Sequence, residues 1–246
     1  MNKVILAACV SVLIIIGQNA KAQVNIDIES GLVFTGYNDV QIPGDIGTRF
    51  SLKDDFKPNP TAFFRIRGGY TIKSKHTFSI LYAPLSVKSE GSINKQIVFQ
   101  GETFPANTPI NATYKFNSYR FTYRYDLVKK AKYEFGLGFT AKIRDAKIEL
   151  SGGNLSANKS NVGFVPIINF RFSYIANEKY SFLLEGDALA APQGRAEDVL
   201  IAASYKLSDK IAIKAGYRIL EGGADNDSVY GFALFNYATV GLTISL

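Results

Sequence analysis

In 246 residues the chain has no tryptophan, one cysteine, one methionine and one histidine. Cys9 falls in the first 22 residues, so the remainder has no thiol. That excludes thiol chemistry there and any cysteine-based metal site. A single histidine, His76, leaves no His pair for a metal. After residue 22 no apolar run approaches the ~20 residues that a membrane-crossing helix needs. If the chain spans a bilayer, it does so as a closed barrel, the other way to satisfy every backbone polar group in lipid. The net charge of +7 is spread along the sequence rather than gathered into a nucleic-acid motif, so no nucleic-acid partner is expected. No cofactor motif is present.

The first 22 residues stand apart. Asn2 and Lys3 open a short basic region, residues 4–17 are apolar, and Ala20-Lys21-Ala22 has the A-x-A form of a cleavage site. The segment reads as a signal peptide cut between Ala22 and Gln23, leaving residues 23–246 as one domain. Leu6-Ala7-Ala8-Cys9 could pass for a lipoprotein box, but the apolar run continues through Val10 to Ile16, past the cysteine.

What is abundant is the aromatic class, with 14 Tyr and 18 Phe, and alternation with a period of two. The alternation predicts ten strands, over 24–35, 61–73, 76–88, 114–127, 132–146, 162–175, 180–190, 197–207, 210–220 and 229–246. The sixth sets Phe164, Ile168, Phe170 and Phe172 against Val165, Asn169, Arg171 and Ser173. The fourth sets Tyr119, Phe121, Tyr123 and Tyr125 against Ser118, Arg120, Thr122 and Arg124. Mean hydropathy is +0.03, as apolar-out, polar-in strands give. The connections alternate. Short ones fall at 73–75, 128–131, 176–179 and 208–209, and long ones at 36–60, 89–113, 147–161, 191–197 and 221–228. Short turns at one end and long loops at the other are the habit of transmembrane barrels. Tyr70, Tyr125, Tyr133, Tyr174, Tyr180 and Tyr205 fall near the short turns on outer faces and predict an interfacial aromatic girdle. Pro84 and Pro166 interrupt strands and suggest bulges. The fold class is all-β: a closed antiparallel up-and-down transmembrane β-barrel of ten strands, porin-like in architecture.

The last stretch, Val229 to Leu246, alternates to its final residue. Thr239, Gly241, Leu242, Ile244 and Leu246 resemble the C-terminal signature of outer-membrane β-barrel proteins of Gram-negative bacteria, with Leu where the family usually has Phe. The stretches 185–198 and 220–230 resemble those of a ten-stranded group of such barrels. The resemblance implies a location in the cell outer membrane, contact with outer-membrane lipid and lipopolysaccharide, and insertion by the barrel-assembly machinery. The chain is expected to act as a monomer.

The inward register collects Arg65, Arg67, Arg120, Arg124, Lys142, Arg144, Arg171, Lys206, Lys214 and Arg218 with Asp27, Glu29, Asp126, Glu134, Glu185 and Asp187. Buried charges must be paired, and a ten-stranded lumen is little wider than one that side chains fill. The leading reading is therefore a structural or binding barrel whose lumen is largely filled by an ion network. A narrow, anion-preferring small-solute channel is the alternative, because positive charge is in excess. A third reading is an outer-rim enzyme acting on lipid or peptide. Glu185 and Asp187 have the spacing of a carboxylate dyad, against the simpler reading that both pair with arginines. The omptin proteases are also ten-stranded, but their sites join aspartates to a histidine near the outer rim. His76 lies beside a short turn at the other end. No catalytic residue is assigned.

One further cluster is expected at the outer rim. Glu197, Asp198, Glu221, Asp225 and Asp227 come from two adjacent connections, with Arg195 and Arg218 within reach. Local salt bridges are the plain outcome, and a weak Ca²⁺ site the sharper one. Asp225-Asn226-Asp227 lacks the full EF-hand pattern, so no metal is assigned.

Overall fold

Among the described residues the chain forms fifteen strands. In order they are β1 (Gln23–Gln41), β2 (Phe50–Ser51), β3 (Lys57–Pro58), β4 (Thr61–Ile72), β5 (His76–Ala83), β6 (Ser86–Gly91), β7 (Ile97–Phe99) and β8 (Glu102–Phe104). They continue with β9 (Ile110–Lys129), β10 (Tyr133–Gly152), β11 (Leu155–Ile175), β12 (Tyr180–Ala191), β13 (Gly194–Lys206), β14 (Ile211–Asn226) and β15 (Val229–Ser245). The computed structural model describes residues 23–192 and 194–246, and the leader read over residues 1–22 lies outside them. Among the described residues every regular element is a strand.

Each long strand pairs antiparallel with its neighbour, and β5 and β6 act as one strand interrupted at Pro84. The path β1-β4-β5-β9-β10-β11-β12-β13-β14-β15 returns to β1, so the wall is a closed ten-stranded barrel. The closing seam runs from Asn25↔Ser245 to Gln41↔Tyr230, and Leu246 donates its backbone N–H to Val24 O at 2.8 Å. No strand edge remains open along this seam, the arrangement that removes edge-to-edge aggregation.

The faces sort as the alternation requires. Outward positions carry Ile80, Phe121, Phe139, Ile143, Phe164, Ile168, Ile201 and Val240, all exposed, with Phe139 71% exposed. An apolar belt on the outside of a wall whose inside carries charges is the inverse of a soluble barrel and suits a bilayer. Tyrosines mark its short-turn end: Tyr133, Tyr174 and Tyr180 are exposed, and the Tyr180 and Tyr205 rings lie 4.9 Å apart.

Three expectations change. Strands β9, β10 and β11 have 20, 20 and 21 residues, about twice the 9–11 that cross a bilayer. The connections expected at 147–161, 191–197 and 221–228 are thus mostly strand, closed by tight turns; Gly153 at φ 59° makes one of them. Long connections on this side remain at residues 42–60 and 92–109, where only the short strands β2, β3, β7 and β8 form.

The bulges also lie elsewhere. Register is continuous across Pro84, with Ala83↔Ser118 before it and Ser86↔Lys115 after. Pro84 instead marks where β4–β5 pairing stops, at Ile66↔Tyr82. Pro166 pairs with Ala141 of β10, while β11–β12 pairing starts only at Ile168↔Ala188. A proline has no N–H to give a second neighbour, so each ends the ladder on one side without shifting it. The actual irregularities are at Gly36, between Thr35 and Tyr37, and near Leu127, opposite Phe135 and Gly136. Beyond Gly36 the inward parity of β1 switches from odd to even, which turns Asn38 and Val40 into the interior.

Candidate functional site: a charged lumen beneath an apolar cap

The interior is built in two tiers. In the first, Asp198 of β13 is 2% exposed and receives three guanidiniums: Arg65 Nη2 at 2.9 Å, Arg120 Nη2 at 2.6 Å and Arg218 Nη1. Glu29 of β1 accepts two hydrogen bonds from Arg218 Nη2 at 2.8 Å and one from Lys214 Nζ at 2.8 Å. Lys214 also bonds both oxygens of Asp27 at 2.9 Å, and the Thr243 hydroxyl donates to Asp27 at 2.8 Å. Asp187 of β12 takes Arg120 Nη1 and Thr140 Oγ1 at 2.6 Å each, and Asn169 Nδ2 at 2.9 Å. Arg218 of β14, about 1% exposed, thus sits between a carboxylate of the adjoining β13 and one of β1, two strands away on its other side. The two-pronged grip of Arg218 on Glu29 fixes geometry as well as charge, and together with the single contacts of Arg65 and Arg120 it stitches β1, β4, β9, β12, β13 and β14 across the lumen.

A looser group lies toward the short-turn end. Glu185 pairs with Arg67 at 2.8 Å and with Arg171 at 3.6 Å, and Arg171 reaches Glu134 at 3.6 Å. Arg124 pairs with Asp126 at 3.2 Å. Exposure rises in this direction, to 31% at Arg171.

The second tier is apolar. Val33, Phe63, Leu85, Val87, Leu220, Phe235 and Tyr237 form one buried cluster, with the Phe63 and Tyr237 rings edge-on at 4.8 Å. Further outward Val40, Ile42, Phe50, Leu52, Phe56, Ile97, Phe99, Phe104, Ile110 and Leu150 form another. Most of the second cluster comes from the two long connections, which fold into the mouth. The Phe50 ring lies 6.0 Å from Phe56 and 6.1 Å from Phe99, both edge-on. Between the tiers a cavity of about 10 Å³, bordered by Arg65, Arg120, Phe63 and Leu220, has room for one water at most.

No protein-family model and no curated protein matches the chain. Solved structures do. The outer-membrane protease OmpT of Escherichia coli has 11% identity over 91% of this chain and 97% of that one, with a TM-score of 0.54. The attachment invasion locus protein Ail of Yersinia pestis (10% identity, 90% and 98% covered) and the translocator domain of autotransporter NalP of Neisseria meningitidis (9%, 98% and 95%) both reach 0.38. Of the three, the first carries the fold. The chain has the fold of an outer-membrane β-barrel.

In this barrel the residues expected in the lumen divide into three sets. Arg65, Arg67, Arg120, Arg171, Glu185, Asp187, Lys214 and Arg218 are tied into ion pairs across it. Arg124 pairs locally on its own strand. Lys142 and Arg144 point inward without an ion pair among the described residues; Arg144 Nη2 bonds the Asn161 side chain instead. Lys206 leaves the lumen, pairing with Asp209 of the β13–β14 turn at 2.8 Å, and this hydrogen bond holds the Asp209 carboxyl below its ordinary value. Glu185 and Asp187 face one interior, as their spacing requires, but each is occupied by a different arginine.

The acidic rim cluster does not assemble. Asp198 has the parity of Leu200 and Ala202, which puts it in the lumen under Arg65, Arg120 and Arg218. Glu221 is on the outer wall, bonded by Arg195 Nη2 at 2.8 Å and by the Tyr37 hydroxyl. Glu197 pairs in register with Glu221, whereas Asp225 and Asp227 are exposed at the β14–β15 turn. Among the described residues no group of three or more His, Cys, Asp or Glu could hold a metal ion. His76 lies beside the β4–β5 turn, its Nδ1 2.9 Å from the Tyr123 hydroxyl oxygen.

Two features escaped the sequence reading. Asp198 was legible in principle, since it continues the series Asp198, Leu200, Ala202, Ser204. The apolar cap was signalled only by composition: Phe50, Phe56, Phe99 and Phe104 are too many phenylalanines for solvated loops.

Proposed function

We propose that this chain is a non-conducting outer-membrane barrel with a structural or binding role, in which the sealed lumen holds a rigid outward-facing platform. The observation that supports this reading is the double seal. A charged tier crosslinks the wall, and above it an apolar core closes the mouth. Moving an ion along the axis requires opening both at once. Lipopolysaccharide surrounds the outward half, the barrel-assembly machinery inserts the chain, and it works as a monomer. A narrow anion-preferring channel makes the opposite forecast for conductance, and an outer-rim enzyme acting on lipid or peptide, electrically as silent, would instead turn over lipid or peptide as purified protein.

The test is conductance. Purified barrel reconstituted into planar bilayers should give no current steps in potassium chloride at either polarity. Reproducible single-channel openings by the wild type, with the barrel shown intact by its unheated gel mobility, would overturn the sealed reading.

A further inference from the structure

Lys142 is an anomaly in an otherwise balanced interior. It is 2% exposed and faces inward from β10, directly across from Arg120 of β9, so two cations are cross-strand neighbours. Arg120 is satisfied by Asp187 and Asp198. Those same carboxylates are fully engaged, Asp187 also by Thr140 and Asn169, and Asp198 also by Arg65 and Arg218. The Lys142 ammonium therefore has no carboxylate within 4 Å among the described residues, and its neighbour is the Phe116 ring, 4.8 Å from Nζ to centroid. Two residues further along the same face is Arg144, whose Nε is buried with no partner. Its other end crosses β11 where Gly163 leaves room: a Cβ there would come within 3.1 Å of Arg144 Nη2.

Access to these two cations comes from the broken ladder. Above Pro166, β11 has no β12 partner, since pairing begins at Ile168↔Ala188. Inward-facing Leu189 of β12 is 36% exposed, and Asn161 of β11 is exposed, so water reaches the interior along this edge although the mouth further outward is capped. A buried, unpaired ammonium is unfavourable unless a counter-charge reaches it.

We propose that Lys142 and Arg144 form a binding site for a tetrahedral oxyanion, a phosphate or sulfate group, admitted through the unpaired gap between β11 and β12. The ammonium supplies a point charge and the guanidinium directional donors, the pairing that suits such an anion. The site goes beyond the sealed-barrel reading and does not depend on it, because a blocked axis and a side pocket are separate features.

The experiment measures the thermal unfolding midpoint of purified barrel in detergent, at ionic strength fixed with sodium chloride. One arm adds inorganic phosphate or sulfate, and a second adds a phosphorylated glycolipid of the outer leaflet. Anion binding to the folded state raises the midpoint with concentration. Expected is a rise in at least one arm, shifted to about tenfold higher concentration or lost in Lys142→Met and in Arg144→Gln. A rise with phosphate alone assigns a soluble ligand, and one with glycolipid alone a lipid headgroup. Gel mobility of unheated samples verifies folding; Arg144, half-exposed, gives a variant that folds even if Lys142→Met does not. No rise in either arm, or rises unchanged in folded variants, overturns the proposal. So does a rise matched by acetate, which would reflect charge screening and not a tetrahedral site.

Discussion

Asp198→Asn tests the ionic tier at its centre. The substitution keeps the size and one acceptor but removes the charge that three guanidiniums share. They do not lose equally. Arg120 keeps Asp187 at 2.6 Å, and Arg218 keeps its two-pronged contact with Glu29 at 2.8 Å. Arg65 is left with Glu29 at 3.7 Å, too long for a hydrogen bond. The cost should therefore be that of one stranded buried guanidinium, about 3–5 kcal/mol, not three times that. Adding Arg65→Met should recover most of it, giving a coupling well above the ~0.5 kcal/mol scatter of independent sites. The assay is equilibrium refolding from urea into phospholipid vesicles, read by gel mobility and far-ultraviolet circular dichroism, since the chain has no tryptophan to report. A loss below about 1 kcal/mol for Asp198→Asn, or a double variant no better than the single, would refute the argument that Arg65 depends on this carboxylate.

Two further outcomes are expected in the same assay. Ile168→Arg and Phe121→Arg, at outward positions 46% and 52% exposed, should each cost about 2–4 kcal/mol near the bilayer midplane, and neutrality at both would mean that this belt does not face lipid. Ser74→Gly should raise stability by about 0.5–1 kcal/mol, because Lys73 and Ser74 are the two left-handed residues of the three-residue β4–β5 connection, at φ 51° and 58°; relieving roughly 1–2 kcal/mol of left-handed strain outweighs the entropy of glycine, and a lowered midpoint would contradict it.

The barrel was legible because a half-lipid, half-lumen strand writes its geometry into every second residue. Phe164, Ile168 and Phe172 against Asn169, Arg171 and Ser173 leave one register. The legibility stops where the lipid stops. Outward residues of β10 above the membrane are Asp145, Lys147 and Glu149, so the strand continues while its apolar signal ends, and a 20-residue strand reads as a 15-residue strand and a loop. The same blindness moved Asp198 to the rim. Its neighbours Glu197 and Arg195 face water on the outer wall, and a run of polar residues conceals which of them turn inward. The cap was beyond reach for another reason. Phe50, Phe56, Phe99 and Phe104 come from connections whose strands are only two or three residues long, too short to show a period, and only tertiary packing says that they meet.

The seam between β1 and β15 has a consequence for how the barrel comes into being. Every other wall contact joins successive wall strands, most by tight hairpins and two across the connections at 42–60 and 92–109. Asn25↔Ser245 cannot form until nearly the whole chain is available, and it closes the largest loop the molecule has. Closure is thus the late, slow event. Glu29 on β1 meets Lys214 and Arg218 on β14 only when the seam engages, so the ion pairs at the heart of the lumen act as its latch. Until then those charges face solvent, and the unfinished sheet offers a free edge at each end, which makes assembly dependent on something that shields both edges until they meet.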